Sequence, residues 1–232
     1  MKTIGLIGGM SWESSSQYYR IINERVRRLC GGLHSAKSLM FSVDFDAIKG
    51  MQAEARWTDA ARELSDVASN LENAGADFIV LCTNTMHKVA DVISDRVHIP
   101  LLHIADPTIE AIKRAGVRKV GLLGTRFTME EKFYIDRLKH AGKLEVLVPK
   151  EDEDRKLVDR VIFEELCVGK VKAESYEAYV RIMNELVDRG AEGIILGCTE
   201  IMMLVRPGSV SVPLFDTTTL HAAAAVDYAL AA

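Results

Sequence analysis

Two short stretches of the chain carry side chains able to move a proton at a carbon centre. Leu81-Cys82-Thr83-Asn84-Thr85 and Leu196-Gly197-Cys198-Thr199-Glu200 each close an apolar run of strand length, which sets a hydroxyl or a thiol just past the end of a buried strand. A proton removed from one face of a carbon and returned to the other inverts that centre. The protein then needs two opposed proton carriers and polar groups that hold the planar carbanion. Cys198 is the stronger carrier of the two, because a thiol ionises far more readily than a hydroxyl. A helix starting after Gly197 is expected to lower its pKa further. Against this stands the ordinary fate of a free cysteine, a small buried hydrophobe. Neighbouring residues on a strand point to opposite faces, so a Thr83 that looks into a site leaves Cys82 looking away and packed. Cys30 and Cys167 lie in helical patterns where packing accounts for them.

Thr83 and Cys198 are paired by an internal repeat. Gly5-Leu6-Ile7-Gly8 recurs as Gly121-Leu122-Leu123-Gly124, the stretch from Gly75 to Thr83 recurs from Gly190 to Cys198, and Ile99-Pro100-Leu101-Leu102 recurs as Val212-Pro213-Leu214-Phe215. One such match is worth little, since buried parallel strands are Val/Ile/Leu-rich everywhere. Three in the same order, with the first two spaced alike to within one residue, indicate two homologous lobes.

Strands are expected at Thr3–Gly8, Leu39–Val43, Phe78–Cys82, Leu101–Ile104, Lys119–Leu123, Glu145–Val148, Gly193–Gly197 and Val212–Phe215, with helical patterns between them. Glycines at 31, 32, 75, 116, 142 and 190 mark helix ends, Asp106-Pro107 opens a helix, and Thr128 with Glu131 reads as a capping box. Such alternation specifies α/β architecture with parallel sheets and right-handed crossovers. The lobes are expected to be residues 1–98 with 213–232, and residues 99–212. In open parallel sheets ligands bind beyond the carboxyl ends of the strands, which places Met10, Ser11, Thr83, Asn84, Thr85, Thr125, Cys198 and Thr199 at candidate positions.

With 232 residues, 48% hydrophobic, 27% charged and a net charge of −4, the chain has ordinary globular composition and no massed basic run, so nucleic acid is not an expected partner. The four cysteines show no CxxC spacing and no histidines at finger-like intervals, so no metal site is expected and reduced thiols in a cytoplasm are the default. The apolar N-terminal stretch is too short for a signal peptide or a membrane span. Gly5-x-x-Gly8-Gly9 matches neither the dinucleotide nor the P-loop pattern. No lysine stands at the repeated strand ends, so pyridoxal phosphate has no evident anchor and no cofactor is expected. A homodimer is the usual prior for a small enzyme of this build.

Through Gly8-Gly9-Met10-Ser11, Thr83-Asn84-Thr85-Met86-His87 and Gly197-Cys198-Thr199-Glu200, over nearly its whole length, the chain resembles the aspartate/glutamate racemase superfamily. The resemblance implies two pseudo-symmetric Rossmann-like lobes, each a parallel sheet flanked by helices, with the site in the cleft between them. It also implies cofactor-independent racemisation of an amino acid by two opposed cysteines. Here the first cysteine is replaced by Thr83. By resemblance Cys198 deprotonates the L isomer of aspartate or glutamate and Thr83 acts on the opposite face. Enantiomers have equal free energy, so forward and reverse kcat/KM must match whatever residues are used.

Two side-chain clamps of the family are missing: an Arg in a Pro-Asp-Arg stretch and a Lys in an Ile-x-x-x-x-Lys-x-Gly stretch. The corresponding segments read Ser42-Val43-Asp44-Phe45 and Ile162 to Gly169 with Cys167 inside it. Gln52, Thr125 and Thr128, with helix N-termini and aid from Arg56 or Arg126, are the expected substitutes, though lone arginines are commonly solvated. Asn84 and Thr85 are expected to fix the carboxylate or amine with Thr199 opposite, and Met10 and Ser11 to offer backbone donors. Capping is the competing role for Ser11, Thr125 and Thr128. His87 either orients a neighbour, accepts the Thr83 proton, or is a satisfied buried histidine. Glu200 and Asp216 are candidates to tune Cys198, in the direction of a higher thiol pKa. Other readings are a broad-specificity racemase of neutral amino acids, a single-cysteine decarboxylase of malonates, and a non-catalytic amino-acid-binding homologue.

Overall fold

The computed structural model describes residues 1–231, and its backbone contacts divide them into two units. The first unit comprises Met1–Ile104 and the chain from His221 on; the second is Ala105–Leu220. This division falls later than residues 98/99 and 212/213. The strands at Leu101–Leu102 and Leu214–Asp216 each pair with the strand before them in sequence, and each stays with its own sheet.

In the first unit the order is β1 (Ile4–Gly8), α1 (Trp12–Cys30), β2 (Ser38–Ser42), α2 (Phe45–Ala53), α3 (Trp57–Asn73), β3 (Phe78–Leu81), a 3-10 turn (Thr85–Val89), α4 (Ala90–Arg96) and β4 (Leu101–Leu102). The strands form one parallel sheet, β2-β1-β3-β4. Alternation along β1 and β3 divides its core. Ile7, Ile79 and Leu81 face a cluster with Leu64, Ala68 and Leu71 of α3. Ile4, Leu6, Phe78, Val80 and Cys82 face the other way, onto Tyr18, Ile22 and Val26 of α1 and onto Ala222, Ala225 and Val226. Tyr18, Ile22 and Val26 recur at i, i+4 and i+8, the stripe by which α1 buries one face. Between β1 and α1 the chain turns at Gly9 with φ +93°, where a Cβ would lie 2.2 Å from the Val43 carbonyl oxygen. Only glycine allows that approach.

The second unit runs α5 (Ala105–Arg114), β5 (Lys119–Gly124), α6 (Arg126–Glu130), α7 (Lys132–His140), β6 (Glu145–Leu147), α8 (Asp152–Glu164), α9 (Ala173–Asp188), β7 (Gly193–Gly197), α10 (Ile201–Leu204) and β8 (Leu214–Asp216). Its parallel sheet is ordered β6-β5-β7-β8, the same winding as the first, in agreement with the repeat. Leu123, Ile194 and Leu196 pack against Val158, Ile162, Tyr179 and Ile182 of α8 and α9. The last helix, α11 (Thr217–Leu230), begins in this unit and continues in the other. The residues at 128 and 131 do not form a capping box: Thr125 caps α6, its side chain accepting from the Thr128 N–H. Among the described residues no helix is long and apolar enough to cross a membrane.

Candidate active site

In the first unit the exits of β1 and β3 lie side by side, because Ile7 pairs with Leu81 and the Cys82 N–H donates to the Ile7 carbonyl at 2.9 Å. Met10 and Ser11 follow one exit and Thr83, Asn84 and Thr85 the other; all five are buried. The Ser11 hydroxyl caps α1, accepting from Ser14 N–H at 3.4 Å. Thr83 lies one residue past the ladder. Its N–H turns back to the Leu81 carbonyl at 2.9 Å, and its own carbonyl faces His87 Nδ1 at 2.7 Å. Among the described residues of the first unit its hydroxyl makes no hydrogen bond, so no base of that unit is poised to ionise it. His87 cannot take that proton: its Nε2 accepts from the Ile104 N–H at 3.1 Å, which leaves the ring hydrogen on Nδ1, donating to the Thr83 carbonyl. Gln52 is buried and reaches the same turn, donating from Nε2 to Met86 Sδ at 3.0 Å. Cys82 is fully buried on the opposite face of the sheet, and burial alone pushes its thiol pKa far up.

In the second unit Gly124 pairs with Gly197, which sets Thr125 beside Cys198 at the sheet's carboxyl end. The two strands meet closely: a Cβ on Gly124 would come within 2.7 Å of the Gly197 carbonyl oxygen and 3.1 Å of Thr128 Cβ. Thr128 therefore packs onto the glycine pair that precedes Cys198. Its hydroxyl lies 3.2 Å from that of Thr125. Hydroxyls from the start of α11 tie down the main chain around the thiol, Thr217 to the Leu196 carbonyl at 2.8 Å and Thr218 to the Thr199 carbonyl at 3.3 Å.

The chemistry of this end is concentrated in one carboxylate oxygen. Glu200 Oε2 accepts from the Cys198 thiol at 2.9 Å and from the Thr199 hydroxyl at 2.9 Å, and Glu200 is 1% exposed. A buried carboxylate is tolerated because hydrogen bonds replace its water. The thiol pKa is raised well above the ordinary value, first by burial and then by the Glu200 charge. That corrects the expectation of a helix-lowered thiol: α10 is a single turn, too short to offset burial beside an anion. Cys198 rests as a thiol already hydrogen-bonded to a proton acceptor, and the thiolate it yields is a strong base. The sequence left Glu200 as a charge of unknown position; its i to i+2 spacing from Cys198 was the available signal.

Both arginines are partly exposed and held in surface ion pairs. Arg56 pairs with Glu54 at 2.7 Å and Asp59 at 3.5 Å, and Arg126 pairs with Glu130 at 3.0 Å and Asp152 at 3.2 Å. Asp216 is taken up at the start of α11, accepting from the Thr218 and Thr219 N–H groups. Cys30 is exposed at the end of α1, not packed, and Cys167 sits half-buried on a 3-10 turn at Leu166–Val168, packed against the cluster that contains Cys198.

Two parallel sheets of identical winding, each with polar side chains at its carboxyl end and one with a thiol on a buried carboxylate, define a duplicated α/β class suited to proton transfer. The family model described as Asp/Glu/hydantoin racemase matches residues 7–225, and the chain belongs to that family. It is similar over its full length to the structure of a Yersinia pestis protein described as a candidate Asp/Glu racemase (54% identity, all of both chains, TM-score 0.92). It is likewise similar to that of an aspartate racemase homologue from Pyrococcus horikoshii (37% identity, 99% of both chains, TM-score 0.85). The broad specificity amino-acid racemase RacX of Bacillus subtilis is 24% identical over 98% of both chains.

Proposed function

We propose that the protein is an amino-acid racemase that interconverts L- and D-aspartate or glutamate without pyridoxal phosphate. The observation that carries this reading is the 2.9 Å contact between Cys198 Sγ and Glu200 Oε2 at a buried strand end. The thiol proton passes to Glu200, the thiolate takes the α-proton of the L isomer, and the carbanion is protonated on its other face from the Thr83 hydroxyl; Thr83 then recovers a proton from water while Glu200 releases its own to water, which restores every group. Each step moves one proton and consumes no co-reactant. Because the Thr83 hydroxyl has no base of its own unit beside it, the group works as an acid first. Starting from the D isomer, the complex is slower to lose its proton, and equality of kcat/KM is met by a compensating change in KM. Met10, Ser11, Asn84, Thr85, Gln52, Thr125, Thr128 and Thr199 are proposed to line the substrate, with Ser11 and Thr125 acting through the helix starts they cap.

The ion pairing of Arg56 and Arg126, together with the similarity to RacX, favours a second reading in which the side chain is neutral and specificity is broad. Chiral chromatography after incubation with a panel of L-amino acids tests both. Appearance of D-aspartate or D-glutamate alone supports the first, D isomers of neutral amino acids support the second, and no D isomer from any substrate refutes racemisation. A visible-range absorption band in the active protein would refute independence from pyridoxal phosphate.

A further inference from the structure

We propose that His87 is a positioning residue that aims the Thr83 hydroxyl by gripping its backbone carbonyl. The inference rests on the assignment of Thr83 as proton donor and adds the device that orients it.

Thr83 stands where sheet pairing ends. The ladder holds the chain through Leu81 and the Cys82 N–H, and beyond that point the Thr83 peptide has left the register. Within the first unit its carbonyl is held by His87 Nδ1 at 2.7 Å. His87 sits on the 3-10 turn four residues later, with its own N–H on the Asn84 carbonyl at 3.1 Å and its side chain 4% exposed. The carbonyl plane fixes ψ at Thr83, and with it the direction of the Cα–Cβ bond that carries the hydroxyl.

The ring is itself fixed by a chain of partners whose donor and acceptor types admit one neutral arrangement. Tyr18 OH lies 2.9 Å from His221 Nδ1, and His221 Nε2 lies 2.9 Å from the Leu102 carbonyl. A carbonyl only accepts, so His221 carries hydrogen on Nε2 and takes the tyrosine hydrogen at Nδ1. Two residues beyond Leu102, the Ile104 N–H donates to His87 Nε2 at 3.1 Å, and His87 therefore carries hydrogen on Nδ1, toward Thr83. His103 lies against the His87 ring at 4.4 Å between centroids, and His221 at 6.0 Å. Two histidines of opposite tautomer thus connect α1 and α11, through the exit of β4, to the Thr83 carbonyl. The chain is rigid because each member is buried or half-buried and each bond is polar in a low-dielectric interior.

Two conservative variants separate positioning from bulk support. His87→Asn keeps a donor near the Nδ1 position and loses the acceptor for Ile104. His87→Gln keeps an acceptor near Nε2 and loses the donor to Thr83. In deuterated water with the L substrate, α-proton exchange reports Cys198 and formation of the D isomer reports Thr83. His87→Gln is expected to slow inversion about 10- to 100-fold, the usual consequence of a misplaced reacting group, with exchange unchanged. His87→Asn is expected to restore inversion to within about threefold of wild type. Inversion at the wild-type rate in His87→Gln overturns the proposal, and so does equal loss of exchange and inversion in both variants. Wild-type protein that neither exchanges nor inverts overturns the racemase reading itself, and this inference with it.

Discussion

Replacing Glu200 by glutamine separates two roles that a carboxylate beside a thiol can play. The charge opposes ionisation of Cys198, and the same oxygen, 2.9 Å from Sγ, is the acceptor proposed for the proton that ionisation releases. Two unit negative charges about 4 Å apart in a site of effective dielectric about 20 repel by about 4 kcal/mol. Glu200→Gln removes that repulsion, so alkylation of Cys198 by iodoacetamide should accelerate, up to a ceiling of about 10³-fold. Loss of the proton acceptor acts oppositely on turnover: general base contributions run to about 10²–10⁴-fold, and α-proton exchange from the L substrate should fall by that order. The variant should therefore be more reactive toward an alkylating agent and less active as an enzyme. The assay pairs mass-spectrometric rates of Cys198 labelling with NMR rates of α-proton loss on the same preparation. Faster exchange in Glu200→Gln would refute the reasoning, because Glu200 would then be only a charge that suppresses the thiol. The fold should survive, since an amide of the same shape replaces a buried anion.

Other perturbations follow from the same geometry. Thr83→Ala should retain exchange from the L isomer while inversion falls about 100-fold or more, and Thr83→Ser should retain both, as read by NMR and chiral chromatography. Cys82 and Cys198 both have thiol pKa values raised by burial, so each stabilises the fold below the ordinary thiol range and loses that contribution as pH rises and the unfolded chain ionises. As pH rises through the ordinary thiol range toward about 10, urea-unfolding stability should fall at a rate approaching about 1.4 kcal/mol per pH unit for each such thiol, and Cys82→Ala should flatten the slope by one thiol's share with exchange activity retained. Gly9→Ala forces a Cβ to 2.2 Å from the Val43 oxygen at a positive φ, and its urea midpoint should report a loss of about 3 kcal/mol or more. Neutralising Arg126 should leave KM for aspartate and glutamate unchanged, because that guanidinium is already paired with Glu130 and Asp152.

The architecture was legible because buried parallel strands are written as short apolar runs bounded by glycine, and a duplicated one is written twice. Each of the eight expected runs overlaps a strand, and both sheets have one winding. The edges were less legible. The expected bounds put Leu101–Leu102 with the second lobe and Leu214–Asp216 with the first, whereas each pairs in the other sheet, since an apolar run does not name its partner. Around the site, spacing located the strand ends but not the directions of side chains. Arg56 and Arg126 looked available because their acidic partners are ordinary surface residues in sequence. For His87 the sequence left three roles open, orienting a neighbour, accepting the Thr83 proton, or a satisfied buried histidine, because a four-residue interval gives proximity without saying which atom of threonine is met; it meets the carbonyl. The helix dipole expected to acidify Cys198 depends on helix length, and the single turn of α10 ends at Leu204.

The central claim is that one thiol, working through a carboxylate, removes the proton from the L isomer and that a hydroxyl delivers a different, solvent-derived proton to the other face. Mass spectrometry of the separated enantiomers, after L-glutamate or L-aspartate has been incubated with the protein in deuterated water, tests it most directly. The account predicts deuterium at the α-carbon of every D molecule and of a growing share of the recovered L molecules, with both signals lost in Cys198→Ser. D isomer that retains its original α-hydrogen, or undiminished deuterium uptake in Cys198→Ser, would contradict it.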